Sequence, residues 1–153
     1  MGYHVEILRT QGDQLLPISK NELESLVSCT PNLRIEESML GEADLLFLQG
    51  DREICRLTLQ HGRLWTKNPE EEEMLAMLDI APKLNARVRG DELETYRSLH
   101  EYYVHPDDEK ALRKLKEESS RSIKISHRKT IIINAIIFGI FILIALIFTY
   151  FKK

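Results

Sequence analysis

The sequence predicts an α+β protein: a small mixed or antiparallel sheet of about five strands with two packing helices, then a helical stalk and one C-terminal transmembrane helix. Three observations predict it. Short runs alternate apolar and polar residues, the period of a half-buried strand. Two stretches carry helix-start signals ahead of apolar residues spaced three and four apart. Ile131 to Phe151 then passes 21 residues without a charge. As a helix that run is about 30 Å long, the thickness of a bilayer's hydrocarbon core.

Tyr3 to Arg9 alternates, with Tyr3, Val5 and Ile7 on one side, and reads as a first strand. Gln11-Gly12-Asp13 signals a turn. Ser19 and Glu22 form an S-x-x-E capping box at the start of a helix with Leu23, Leu26 and Val27 as its apolar stripe. Three extended runs follow, Leu33 to Glu37, Asp44 to Gln49 and Glu53 to Gln60. In the third, Cys55, Leu57 and Leu59 share one face, and Arg56 and Thr58 the other. Arg63 to Lys67 pairs back across His61-Gly62 as a hairpin. Trp65, the only tryptophan, reads as core or edge packing.

A second helix opens at Asn68-Pro69-Glu70, with Asn68 as N-cap and Pro69 at the first helical position. Glu70 to Glu73 sit at the positive end of its dipole. Met74, Leu75, Leu78 and Ala81 form its stripe, and Pro82 kinks or ends it. Asn85 to Gly90 reads as a last short strand. From Asp91 the pattern changes to helix. Another helical stretch starts at Pro106-Asp107-Asp108, charged all round, the pattern of a solvated stalk.

The domain limits follow: 1–105 a soluble domain, 106–130 a basic juxtamembrane stalk, 131–151 the span and 152–153 a short extracytoplasmic tail. Residues 1–105 carry 11 Lys and Arg against 19 Asp and Glu, a net of −8, while residues 106–130 carry 8 against 5, a net of +3. Arg128 and Lys129 flank the span on one side and Lys152 and Lys153 on the other. The positive-inside rule therefore puts the acidic domain in the cytoplasm, facing the inner membrane lipid.

An acidic domain disfavours nucleic acid and suits a basic protein partner. Cys29 and Cys55 need no bridge in a reducing cytosol. The five histidines lack zinc-site spacing; His100 and His105, near Glu101 and Asp107, are the best pair, and no metal or other cofactor is expected. No phosphate loop or nucleophile motif appears, so catalytic residues are not assigned and the chain is expected not to be an enzyme, with a membrane-associated enzyme as the alternative. The candidates for protein contact are Glu70, Glu71, Glu72, Glu73, Asp91, Glu92, Glu94 and Tyr96. Helix capping and solvation account for the same acids without function.

The opening YHVEILR…PISKNE and the segment NPEEEEMLAMLDIAPKLNARVRGDELETY resemble a family of small bacterial proteins without assigned function. The likeness covers residues 3–96, and LDIAPKLNARVRGDELETY is its most specific part. Pro82, and the stalk and tail after Tyr96, depart from the family pattern. The resemblance implies no catalytic residues. It implies a place beside contact-delivered toxins, hence an immunity protein that neutralises a toxin by occlusion. The alternative expectation is a tail-anchored envelope adaptor recruiting a cytosolic partner.

Overall fold

Nine strands form one sheet in the computed structural model, which describes residues 2–12 and 14–117. In chain order they are β1 His4–Gln11, β2 Gln14–Leu16, β3 Leu33–Glu36, β4 Ala43–Gln49, β5 Arg52–Gln60, β6 Arg63–Lys67, β7 Arg87–Gly90, β8 Glu94–Tyr96 and β9 Tyr102–Val104. The spatial order is β3-β4-β5-β6-β1-β7-β8-β9, with β2 paired to the end of β1. Every pairing is antiparallel. The expected count of about five strands is thus corrected to nine. Much of the surplus is β2, β8 and β9, of three residues each, too short to display a period in sequence.

Two helices pack on the sheet, α1 Lys20–Cys29 and α2 Glu71–Lys83. The strand register shows how they are seated. Ile7 lies opposite Leu64 on one side and Val88 on the other. Leu59 also faces Leu64, and Leu57 faces Leu45. These side chains share one sheet face and one core with Leu23 of α1 and Met74, Met77 and Ile80 of α2. On the opposite face Glu6 lies between Trp65 and Arg89, and Thr58 between Asp44 and Trp65. Neither helix packs on this polar face.

The α1 capping box forms as the sequence predicts. The Glu22 amide donates to the Ser19 hydroxyl at 3.3 Å, and the Glu22 carboxylate accepts from the Ser19 amide at 2.9 Å. That backbone bond first, and then Arg9 at 2.7 Å, hold the Glu22 carboxyl below its usual value. A carboxyl depressed by folding stabilises above its unfolded value of about 4.3, and the gain is lost as pH falls through the folded value. Ser19→Ala is expected to cost about 1 kcal/mol in urea denaturation at pH 7. The difference from wild type should shrink in acid, where protonated Glu22 no longer completes the box.

Three local readings are corrected. Residues 91–104 are a pair of strands instead of a helix, joined to β7 by antiparallel pairing of β7 with β8 and β8 with β9. Asn68 is not the N-cap of α2. It holds φ 50°, its side chain accepts from the Tyr3 amide at 2.7 Å, and Glu70 caps the helix through a box with Glu73. The α2 stripe is Met74, Ala76, Met77, Ile80 and Ala81, while Leu75 is 51% exposed. Pro82 lies inside the last turn, and the helix ends one residue later.

The chain divides into two compact units, Met1–Lys110 and Ala111–Lys153. A 3-10 turn at Pro106–Asp108 leads into helix at 109, and of the second unit residues 111–117 are described and helical. Among the described residues no helix is long and apolar enough to cross a membrane. The span expected at 131–151 and its flanks Arg128, Lys129, Lys152 and Lys153 lie outside the described residues.

Candidate protein-contact surface

The sequence-nominated acids do not act as one group. Glu70 and Glu73 are used by the α2 capping box, where the Glu73 carboxylate accepts from the Glu70 amide at 2.7 Å. Glu72 pairs with Arg52 at 3.0 Å, an exposed bridge of small energetic weight. Glu71 is exposed. In the second segment, Asp91 accepts from the His4 amide at 2.7 Å and is within 3.5 Å of its imidazole, while Glu92 is exposed. Glu94 accepts hydrogen bonds from Tyr3 and Tyr96, and the two hydroxyls are 2.7 Å apart. Burial raises the Tyr3 phenol far above its ordinary pKa, and the bonds to Glu94 and Tyr96 add to it. Tyr96 packs its ring against the core. Glu94 and Tyr96 therefore tie β8 to the N-terminal strand.

A different set of residues, absent from the sequence nominations, dominates the polar face. Glu6 accepts from Arg63 at 3.2 Å and from Arg89 at 3.0 Å through Nε. Arg89 also donates to Asp108 at 2.6 Å, and Arg87 donates to the other Asp108 oxygen at 2.8 Å. Arg87 and Asp107 share Thr10, the arginine donating to its hydroxyl at 2.7 Å and that hydroxyl donating to Asp107 at 2.5 Å. Burial works to lower the Arg89 pKa, but the pairings with Glu6 and Asp108 outweigh it and the value is raised. Side chains on four separate segments are thereby held in fixed positions. A signal was present: Glu6 alternates with Val5 and Ile7, and Arg87 and Arg89 flank Val88, so each reads as the outward side of a strand.

Beside this network the polar face dips into a concavity of about 560 Å³. His4 and Trp65 form one wall, their ring centroids 5.7 Å apart and tilted by 57°. Arg63, Arg89, Asp91 and Leu93 contribute the remainder that matters chemically. Leu93 adopts φ 66°, at the end of a turn in which its amide donates to the Gly90 carbonyl at 3.1 Å. A left-handed conformation costs a branched residue roughly 1–2 kcal/mol.

Other chemistry is sparse. Among the described residues no group of three or more His, Cys, Asp or Glu is arranged to hold a metal ion. His100 is exposed, and His105 accepts from the Asp107 amide at 3.2 Å, capping the 3-10 turn. Cys29 is exposed and Cys55 is buried, both free. Burial, helped by the charges of Glu73 and Glu53, pushes the Cys55 thiol up to about 12. Only the thiolate is nucleophilic. Iodoacetamide at pH 8 is therefore expected to alkylate Cys29 in the native protein and Cys55 only after denaturation, read by mass spectrometry of the two peptides.

No family model, characterised protein or solved structure matches this chain.

Proposed function

We propose that the chain is a membrane-tethered protein-binding module, an immunity protein that neutralises a basic toxin by occlusion. The observation that carries this reading is the polar face of the sheet, whose side chains are pinned by the Arg63–Glu6–Arg89–Asp108–Arg87 network. Binding without catalysis needs surface complementarity, and it loses affinity to every side chain that must be ordered on contact. A face already ordered by its own ion pairs avoids much of that loss. The net charge of −8 over residues 1–105 favours a basic partner through steering and complementarity. The uncharged run 131–151 supports an anchor that keeps the module at the inner face of the membrane, with the domain in the cytoplasm.

Removal of the gene from a toxin-producing strain is expected to lower survival in self-competition, and the full chain should restore it. Restoration by a chain lacking 131–153, recovered from the soluble fraction, would show that the anchor is dispensable. Undiminished survival in every such strain would overturn the immunity reading. Capture of a division or secretion component by the full chain would then favour the adaptor alternative.

A further inference from the structure

We propose that the concavity on the polar face receives an arginine side chain of the protein partner, its guanidinium stacked on Trp65 and paired with Asp91. This rests on the protein-binding reading above and names what that partner presents. The walls supply the two things a guanidinium takes: an aromatic face and a carboxylate. Trp65 is half-buried and paired with the His4 ring. Asp91 stands beside His4, held by the His4 amide, with its side chain 48% exposed. A planar guanidinium stacks on an indole and pairs with a carboxylate at once, which a compact ammonium does less well. Leu93 sits in the same wall in a conformation that glycine would adopt without strain. A leucine there gives the long apolar stem of an arginine something to pack on.

Charge decides between a cation and an anion. Arg63 and Arg89 line the concavity and on their own would repel a guanidinium. Both are already paired, Arg63 with Glu6, and Arg89 with Glu6 and Asp108. The connected network holds Arg63, Arg87 and Arg89 against Glu6, Asp107 and Asp108, through the bonds that link them by way of Thr10. Those charges cancel, and Asp91 remains as a carboxylate whose neighbour is His4. Among the charged groups that line the concavity, Arg63 and Arg89 stand against Glu6 and Asp91, so the site is balanced by itself and sits inside a domain of net −8. An arriving cation meets attraction at long range from the acidic domain and at contact from the Asp91 carboxylate.

Trp65 is the only tryptophan, so its emission reports on this site directly. The test titrates the full chain in detergent micelles, at constant ionic strength, with N-acetyl-arginine amide, its uncharged citrulline counterpart and N-acetyl-glutamate amide. Concentrations run to about 50 mM, above the millimolar Kd of a small single-group ligand. A saturable change in Trp65 emission is expected with the arginine amide alone. Asp91→Asn should weaken it about tenfold, and Glu92→Gln, exposed and adjacent, should leave it unchanged. A flat arginine titration, an equal response to citrulline, or a response to glutamate alone overturns the proposal. So does an Asp91→Asn protein with native circular dichroism and undiminished response. If Asp91→Asn does not fold, the comparison of the three probes on the wild-type chain decides by itself. A survival defect with a flat titration removes this inference and leaves the immunity reading; saturable arginine binding without a survival defect does the reverse.

Discussion

Asp108→Ala is expected to destabilise the domain by about 3–5 kcal/mol, the cost of removing one partner from a buried ion pair. Asp108 is 3% exposed and spends both carboxylate oxygens, one on Arg87 and one on Arg89. The two arginine side chains are themselves only 12% and 13% exposed. Truncation strands two guanidinium groups where water has little access. Glu6 still compensates Arg89, whereas among the described residues Arg87 keeps the Thr10 hydroxyl. Arg87 is therefore the larger part of the penalty. Against a typical domain stability of about 5–15 kcal/mol, the loss is a large fraction. Urea denaturation of the full chain in micelles, followed by Trp65 emission, measures it as a shift in midpoint. Asp79→Ala is the matched control, because its bridge to Lys83 at 2.7 Å is exposed on both sides. An exposed pair at this helical spacing contributes about 0.3–0.5 kcal/mol. Equal midpoint shifts for the two variants would mean that Asp108 is not what neutralises the arginines. Arg87→Met placed on Asp108→Ala should recover part of the loss, since it removes the stranded charge.

Asp108 also marks the limit of what sequence reading reaches. Local signals were legible wherever the determining contacts lie a few residues apart. The Ser19–Glu22 box, the hairpin across His61-Gly62 and the inward row of Cys55, Leu57 and Leu59 all form as read. The failures share one cause, a partner distant in sequence. Residues 91–104 carry acids and apolar residues at helix-like spacing, yet β7 offers an open edge, and pairing Val88 with Tyr96 outweighs local preference. Asn68 looks like a helix cap until Tyr3, 65 residues away, takes its side chain. The same holds for the contact surface. Exposed acids at 70–73 draw attention in a linear reading because they are contiguous. Glu6, Arg89 and Asp108 lie 83 and 19 residues apart; the sheet register brings the first two together, and the 3-10 turn after the last strand brings Asp108 to them. Alternation puts Glu6 and Arg89 on the outward side of their strands but carries no information about which outward residues meet, and Asp108, read as the start of a solvated stalk, lies in a 3-10 turn and is buried.

Gly62→Ala is expected to cost about 2–4 kcal/mol, and the comparison with Gly50→Ala separates its two causes. Both glycines sit in hairpin turns with positive φ, 72° at Gly62 and 63° at Gly50. A side chain there costs roughly 1 kcal/mol or somewhat more from the left-handed conformation alone. A Cβ at Gly50 would meet nothing within 4 Å. At Gly62 it would come within 2.5 Å of the Pro17 Cβ and 2.7 Å of the Pro17 Cα. The second contact is with backbone, so a side-chain rotation does not relieve it. Gly62→Ala should therefore exceed Gly50→Ala by an overpacking cost of about 1–3 kcal/mol. The strain has two outlets. The Gly62 carbonyl accepts from the Ile18 amide at 2.9 Å, and Ile18 is 1% exposed just ahead of the Ser19 cap. Movement of Pro17 thus loosens the start of α1. In the other direction His61 lines the concavity, so a shifted turn also disturbs the surface around Trp65. Urea midpoints for the two variants check the energies, and native Trp65 emission reports which outlet the strain takes. Equal midpoints would mean that Pro17 gives way at no cost. A larger loss for Gly62→Ala with unchanged emission would place the strain at α1 and leave the contact surface intact.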